Sequence, residues 1–86
     1  MHLERVNFSH VLMDRAGLTN ANLSRADLTE ADFSAALLIR ANLTDTIFTK
    51  TILKWASLSH VTPADLNLSH AILDKTVLPN GSALER

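Results

Sequence analysis

The chain has no cysteine, almost no net charge and no long apolar run, and each absence removes a class of protein. Without cysteine it has no disulfide framework, no thiol nucleophile and no thiolate metal site. Its 8 basic and 9 acidic residues nearly cancel, so it lacks the clustered basic surface that holds nucleic acid. No apolar run approaches the ~18 residues that cross a bilayer.

The start of the chain lacks the basic and apolar regions of a signal peptide. We therefore expect a cytoplasmic protein with no membrane partner, the alternative being a secreted protein whose signal has been removed. Its 86 residues suffice for one small domain.

Apolar residues recur with a period of five. When the chain is divided into fives from Met1, a large apolar residue stands third in fifteen of the sixteen repeats, and Pro63 is the exception. The first position is mostly alanine or a β-branched residue, and no charged residue before position 81 stands first or third. Such a fixed period is the signature of a repeat architecture.

A period of five fits neither common element, because helices repeat their apolar residues at three and four positions and strands at two. A chain that bends once per repeat fits it, with the first and third residues pointing inward. Four bends close a coil of twenty residues, and coils pair about 4.8 Å apart. The sequence predicts an all-β solenoid of four coils over residues 1–80, followed by a frayed C-terminal tail, residues 81–86.

Four repeats carry a more specific motif. Residues 21–25, 26–30, 31–35 and 41–45 read ANLSR, ADLTE, ADFSA and ANLTD. This pattern resembles the pentapeptide repeat proteins of bacteria, and residues 78–82 are similar to the close of many cyanobacterial members. The resemblance implies a right-handed quadrilateral β-helix. It implies little about function, because one fold hosts many functions.

The two ends of the predicted stack differ. Pro63 and Pro79, the only prolines, fall in the fourth coil, as expected of an edge that donates to no further ladder. The first coil has no such feature beside its apolar third residues Leu3, Phe8 and Met13. A homodimer through this end coil, a preceding segment and shielding by polar neighbours are the three explanations that the sequence leaves open.

The residue types of catalytic sites are present without their arrangement. Ser-His occurs at residues 9–10, 59–60 and 69–70, but a nucleophilic triad also needs a group that orients the histidine and an oxyanion hole. The histidines are not spaced to share a metal. We therefore predict no catalytic residue, no cofactor and no metal site. Five Asn-x-Ser/Thr sequences are interpreted as by-products of the repeat.

Apolar residues at outward positions are the candidates for function. The predicted interaction patch comprises Leu12, Leu37, Ile39, Ile47, Ile52, Trp55 and Ile72. Clustered apolar residues mark interfaces, and tryptophan is enriched at their centres, whereas β-branched residues also suit any sheet face.

We predict a non-enzymatic structural or protein-interaction module with an unidentified protein partner. The alternative is a nucleic-acid mimic that inhibits or protects a DNA topoisomerase, as in one branch of the family. That function depends on an acidic face, which this near-neutral chain lacks.

Overall fold

The chain pairs with itself at a constant separation of twenty residues. The computed structural model describes residues 2–81 and 83–84, so Met1 of the predicted repeat domain and Ser82, Glu85 and Arg86 of the predicted tail lie outside the described residues. Parallel bridges join the second residue of a repeat to the second residue of the repeat four further on, from His2 to Asn22 at one end. A turn or bend occupies the fourth and fifth residues of each repeat. Four turns therefore separate paired residues, as the predicted coil requires.

Extended strands are scarce in this ladder. The described residues contain two strands, β1 (Thr76–Val77) and β2 (Ala83–Leu84), while the other pairs are isolated bridges. The chain bends every five residues, so each side offers one residue for bridging. The prediction of an all-β chain is confirmed for the pairing and not for regular strands. The described residues also include no helix that could cross a bilayer.

Backbone groups of neighbouring coils form a regular hydrogen-bond ladder. The third residue of a repeat donates forward to the second residue of the next coil, as Leu23 N–H does to the Asn42 carbonyl at 2.8 Å. The fifth residue donates forward to the fourth, as Arg25 does to Thr44 at 2.9 Å. The second residue donates backward, as Asn42 does to Ala21 at 2.9 Å.

The turn closes each repeat and imposes an unusual backbone conformation. The first N–H of a repeat donates across the turn to the third carbonyl before it, as Ala26 does to Leu23 at 3.0 Å. The fifth residue then has a positive φ, between 54° and 66° at thirteen residues that are not glycine. This is the geometry of a type II turn. An L-residue pays about 1–2 kcal/mol for it.

The fourth N–H of a repeat is satisfied by a side chain. Asn42 Oδ1 accepts the Thr44 N–H at 3.1 Å and the Thr44 hydroxyl at 2.7 Å. The same backbone contact is made by Asn7, Asn22, Asp27, Asp32 and Asn67. Asn and Asp stabilise turns in this way. The interpretation of the Asn-x-Ser/Thr sequences as by-products was therefore incomplete, because the spacing of the four that begin at a second residue corresponds to this bond.

The first and third residues of the repeats fill the core. Buried alanines alternate with buried leucines and phenylalanines from Leu18 to Val61, and the Phe8 and Phe33 rings pack edge to face at 6.5 Å. The buried Thr51 hydroxyl donates to the Leu28 carbonyl at 2.5 Å. A first-position threonine thus enters the core without leaving an unsatisfied polar group.

The outer coils cover the core less completely. Leu3, Phe8 and Met13 of the first coil pack against the core but are only partly buried. In the fourth coil the ladder shifts, because Lys50 donates to the carbonyl of His70, twenty residues on, at 2.8 Å. A depression of about 250 Å³ opens there, lined by Ala64, Leu66, Leu68, Leu78, Pro79 and Asn80.

The C-terminal residues return to the last coil. β2 pairs antiparallel with β1, with Leu84 opposite Thr76 and Ala83 opposite Val77. The expectation of a frayed tail is therefore wrong for these two residues. Their backbone covers an edge of the fourth coil that would otherwise expose unpaired groups.

The side-chain acceptor in the turn can be tested by its removal. Asn42→Ala removes both bonds to Thr44, and we expect it to lower the free energy of unfolding by about 1 kcal/mol. Ser57→Ala is the matched control, since Ser57 is a half-buried second residue whose side chain makes no hydrogen bond within the described part of the chain. Urea unfolding measures both, and equal losses would contradict the role of Asn42.

The positive φ predicts opposite effects of glycine at two adjacent alanines. Ala35→Gly relieves a left-handed alanine with φ 59°, and we expect the free energy of unfolding to rise by about 0.5–1 kcal/mol after the added freedom of the unfolded chain is counted. Ala36→Gly, at a buried first position, should lower it by about 0.5–1 kcal/mol or more. Thermal melting measures the stability of both variants. A loss of stability in both would contradict the turn geometry.

Candidate interaction surface

Outward residues collect on four sides of the stack because the coils repeat every twenty residues. The ladder joins Leu12, Asp32, Ile52 and Ile72 in one column. We call the side that holds it side three, and we call the fourth and fifth residues of its repeats corner three. Side three comprises residues 11–15, 31–35, 51–55 and 71–75.

The structure brings together four of the seven predicted patch residues. Leu12, Ile52 and Ile72 share the column of side three, although Asp32 separates Leu12 from the other two. Trp55 lies at corner three in the same repeat as Ile52. Leu12 and Trp55 are the most exposed large apolar residues of the described chain, at 78% and 62%.

The other three predicted residues lie apart from this column. Leu37 belongs to the next column, between Gly17 and Ser57, and Ile39 follows it in the same repeat on that side. Ile47 pairs with Asp27 on the preceding side. The seven residues therefore do not form one patch, and the structure separates Ile47 from Trp55.

Trp55 is held in place while its side chain stays exposed. Its N–H donates to the Asp74 carbonyl at 2.8 Å, and the Lys54 carbonyl before it accepts the Ala35 N–H at 2.8 Å. Its φ is 61°, which is an outlier for so bulky a residue. Twelve other fifth residues share this φ range, so the common turn of the repeat fixes the backbone of Trp55.

The charged residues of corner three were missed by the sequence interpretation, which considered Trp55 with apolar neighbours and Lys75. Asp14 and Arg15 stand at this corner in the first coil, and Asp74 stands beside Lys75 in the fourth. Stacking the fourth and fifth positions together, at twenty-residue intervals, is the signal that would have revealed them.

The Ser-His pairs do not assemble a catalytic site. The Ser9 hydroxyl donates to Asn7 Oδ1 at 2.6 Å instead of to the neighbouring His10, whose Nδ1 lies 3.4 Å from Glu30. The pair at residues 59–60 has its hydroxyl 2.7 Å from the histidine Nδ1, on the exposed surface. Each of these two pairs therefore lacks a part of the arrangement that activates a nucleophile.

A polar groove of about 410 Å³ runs along the side that contains the first repeat. Its lining residues are Glu4, Arg5, Ser24, Arg25, Asn42, Thr44 and Asp45. The two acidic and two basic groups balance each other, and the groove is open to solvent. Within residues 2–81 and 83–84, no three His, Asp or Glu side chains are placed to hold a metal.

Two carboxylates of the turns have lowered pKa values. Hydrogen bonds from the Thr29 side chain and then its backbone N–H lower the pKa of Asp27, with a smaller contribution from His10. The side chain and the backbone N–H of Ser34 lower the pKa of Asp32 in the same way. Partial burial opposes both shifts without cancelling them. The charged form of each carboxylate therefore stabilises its turn.

Comparison with known families gives a direct match. A family model described as pentapeptide repeats matches eight copies, over residues 2–38 and 26–62. This chain belongs to the pentapeptide repeat family. The comparison with curated proteins gave no match.

A solved structure of the family is similar to nearly all of the chain. It is HetL, a pentapeptide repeat protein involved in heterocyst differentiation regulation from the cyanobacterium Nostoc sp. strain PCC 7120, with 28% identity and a TM-score of 0.49. The match covers 96% of this chain and 34% of HetL, so the chain spans about a third of that protein.

The lowered pKa values predict how acid unfolds the repeats. Because the folded pKa lies below the unfolded one, the stabilisation by each carboxylate is full above about pH 4 and is lost as the pH falls below that value. Asp27→Asn with Asp32→Asn keeps the acceptor that Asn42 uses but removes the titration. We expect this variant to lose less melting temperature between pH 7 and pH 3 than the native chain, and parallel losses would contradict the assignment.

Proposed function

We propose that this pentapeptide repeat protein is a non-enzymatic structural or protein-interaction module, folded as a right-handed quadrilateral β-helix of four twenty-residue coils. The twenty-residue pairing and the turn in each repeat support the four-sided coil. The family supports the handedness. The compartment we propose is the cytoplasm, on the sequence alone.

The observation that carries the interaction role is Trp55 on side three. This large apolar side chain is 62% exposed on a strained but fixed backbone, beside the column that contains Ile52 and Ile72. Tryptophan and its apolar neighbours are the residues that dominate binding energy when a partner covers them. A rigid surface of this kind binds without ordering itself first, which favours affinity.

The second residues of these repeats add support. Where Asn or Asp stands second, its side chain accepts the fourth N–H; leucine or isoleucine at that position gives up a hydrogen bond worth about 0.5–1.5 kcal/mol. Leu12 and Ile52 make that exchange on side three, as Leu37 and Ile47 do on other sides, whereas the Asp74 N–H that follows Ile72 donates to Thr76 Oγ1 at 3.3 Å. An interaction surface gives the lost bond a compensating use.

A homodimer through an end coil belongs to the same proposal. Leu3, Phe8 and Met13 of the first coil are only partly buried, so a second coil laid against them would remove further apolar surface from water. Nucleic-acid mimicry has no specific observation in its favour, because acidic and basic residues alternate over the outward positions.

Affinity capture from the cells that make the protein tests the interaction role. We expect Trp55→Ala to lose its captured partner, and Ile47→Ala to keep it, because Ile47 is also exposed and apolar but lies on another side. Both variants should melt within a few degrees of the native chain. Identical captured proteins from native, Trp55→Ala and Ile47→Ala chains would overturn the role of side three.

A further inference from the structure

Corner three is the one corner that keeps its turn geometry through all four coils. The fifth residues Arg15, Ala35, Trp55 and Lys75 have φ values of 62°, 59°, 61° and 54°. At each of the other corners, the fifth residue of the fourth coil lacks a positive φ. The N–H groups of corner three also donate forward without a break, at 2.7, 2.8 and 2.8 Å. The corner is therefore a regular ridge along the stack.

Each coil contributes one level to this ridge, formed by its fourth and fifth residues at corner three. In three of the four levels these two residues are of types that attract each other, an acid with a base or a lysine with a tryptophan. The four levels, from the first coil to the fourth, are Asp14–Arg15, Ser34–Ala35, Lys54–Trp55 and Asp74–Lys75. No charged side chain of this ridge forms an ion pair or a hydrogen bond with another described residue. Within the described residues, the ridge thus presents acidic, basic and aromatic groups without partners, and in each such level the two attracting groups stand side by side.

We propose that corner three docks against corner three of a second copy of this chain, with a two-fold axis parallel to the stack. Such an axis keeps every coil at its own level and reverses the order within each level. The acidic residue of the first and fourth levels then faces the basic residue of the second copy, and Lys54 faces the second copy's Trp55 in a cation–π contact. Symmetry makes each contact twice.

Electrostatic repulsion disfavours the second two-fold axis that could lie in the plane of this interface. A two-fold axis perpendicular to the stack would place the first level against the fourth, so that Asp14 faces Asp74 and Arg15 faces Lys75. Like charges held opposite one another repel and disfavour that arrangement. The parallel axis removes every such contact.

At the other corners an acid stands beside a base at one level only, Glu4–Arg5 of the first repeat. The corner that precedes corner three along the chain, for example, reads Ser9–His10, Thr29–Glu30, Thr49–Lys50 and Ser69–His70, with no acid beside a base at any level. The inference rests on the proposed interaction role of Trp55 and deepens it by naming the partner. It concerns a surface other than the end coils.

The contact should be narrow and partly electrostatic. A ridge four coils tall offers less area than the roughly 800 Å² per partner of standard interfaces, and its charged groups are screened by salt. We therefore expect a reversible dimer that weakens as ionic strength rises. Ile52 and Ile72 flank the ridge and would be partly covered by the second copy.

Sedimentation equilibrium of variants tests the symmetry directly. Trp55→Ala and Asp74→Lys should each weaken the dimer by about tenfold or more, the second because like charges then face each other. The exchange Asp74→Lys with Lys75→Asp should restore it, since the reversed pair is still complementary to itself across the two-fold axis. Both residues are tolerated locally, as Lys54 occupies a fourth position and Asp45 a fifth position with φ 58°. His60→Ala, a fifth residue of the next corner with φ 60°, is the control that should leave the dimer unchanged.

Cysteine cross-linking distinguishes this surface from the end coils. The native chain has no cysteine, so Ser34→Cys can cross-link only to another copy of itself. We expect a short bifunctional maleimide to link Ser34→Cys into a covalent dimer, because the two thiols lie diagonally across the two-fold axis, and Ser24→Cys, at the equivalent position of another corner, to remain monomeric.

The opposite results would overturn the inference. A monomeric native chain at all concentrations would do so, as would equal cross-linking of both cysteine variants, or an exchanged Asp74–Lys75 pair that dimerises as poorly as Asp74→Lys alone. If the chain is monomeric while Trp55→Ala still loses a captured protein, self-docking fails and the interaction role stands. If Trp55→Ala alters neither result, both fail.

Discussion

The turn in which the fifth residue of a repeat adopts a positive φ is the constraint on which the rest of the structure depends. It turns the chain after five residues, which is why paired residues are twenty apart and why strands cannot extend. It also aligns the backbone so that the third and fifth N–H groups donate forward and the second donates backward. Where Asn or Asp stands second and accepts the fourth N–H, every backbone donor of the repeat has a defined acceptor, as a buried ladder requires.

This arrangement divides the five positions by task. The first and third residues fill the core, and the second, when it is Asn or Asp, holds the turn. The fourth and fifth residues are left comparatively free, so specificity has to reside largely at the corners. Corner three illustrates this division, because its charged and aromatic residues differ from those of every other corner while its backbone follows the common pattern.

The sequence allowed the period, the inward positions and the core to be predicted, because burial of a side chain excludes charge at every first and third position. The positive φ was missed, although the fifth position carries a signal: it contains no valine, isoleucine, threonine or proline in any repeat. The hydrogen bond from Asn or Asp to the fourth N–H was missed because its residues were counted as a coincidence of the period.

Other features could not be inferred from residue types. The pairing of Ala83 with Val77 depends on where the chain can return after Gly81, and the shifted ladder near His70 depends on packing around the fourth coil. The patch prediction collected apolar residues at outward positions of the repeat, so it listed Ile47 with Trp55 although the two belong to different sides of the coil. Column order, rather than apolar character, decides which outward residues meet.

Amide hydrogen exchange measured by NMR tests the central claim most directly, because the hydrogen-bond pattern assigns a partner to each N–H of a regular repeat. In the middle coils, the first, second, third and fifth amides should exchange slowly. The fourth amide should be slow after Asn22, Asp27, Asp32 and Asn42 and faster after Leu37 and Ile52. Protection without a five-residue period, or fourth amides that exchange alike whatever the second residue is, would contradict this account.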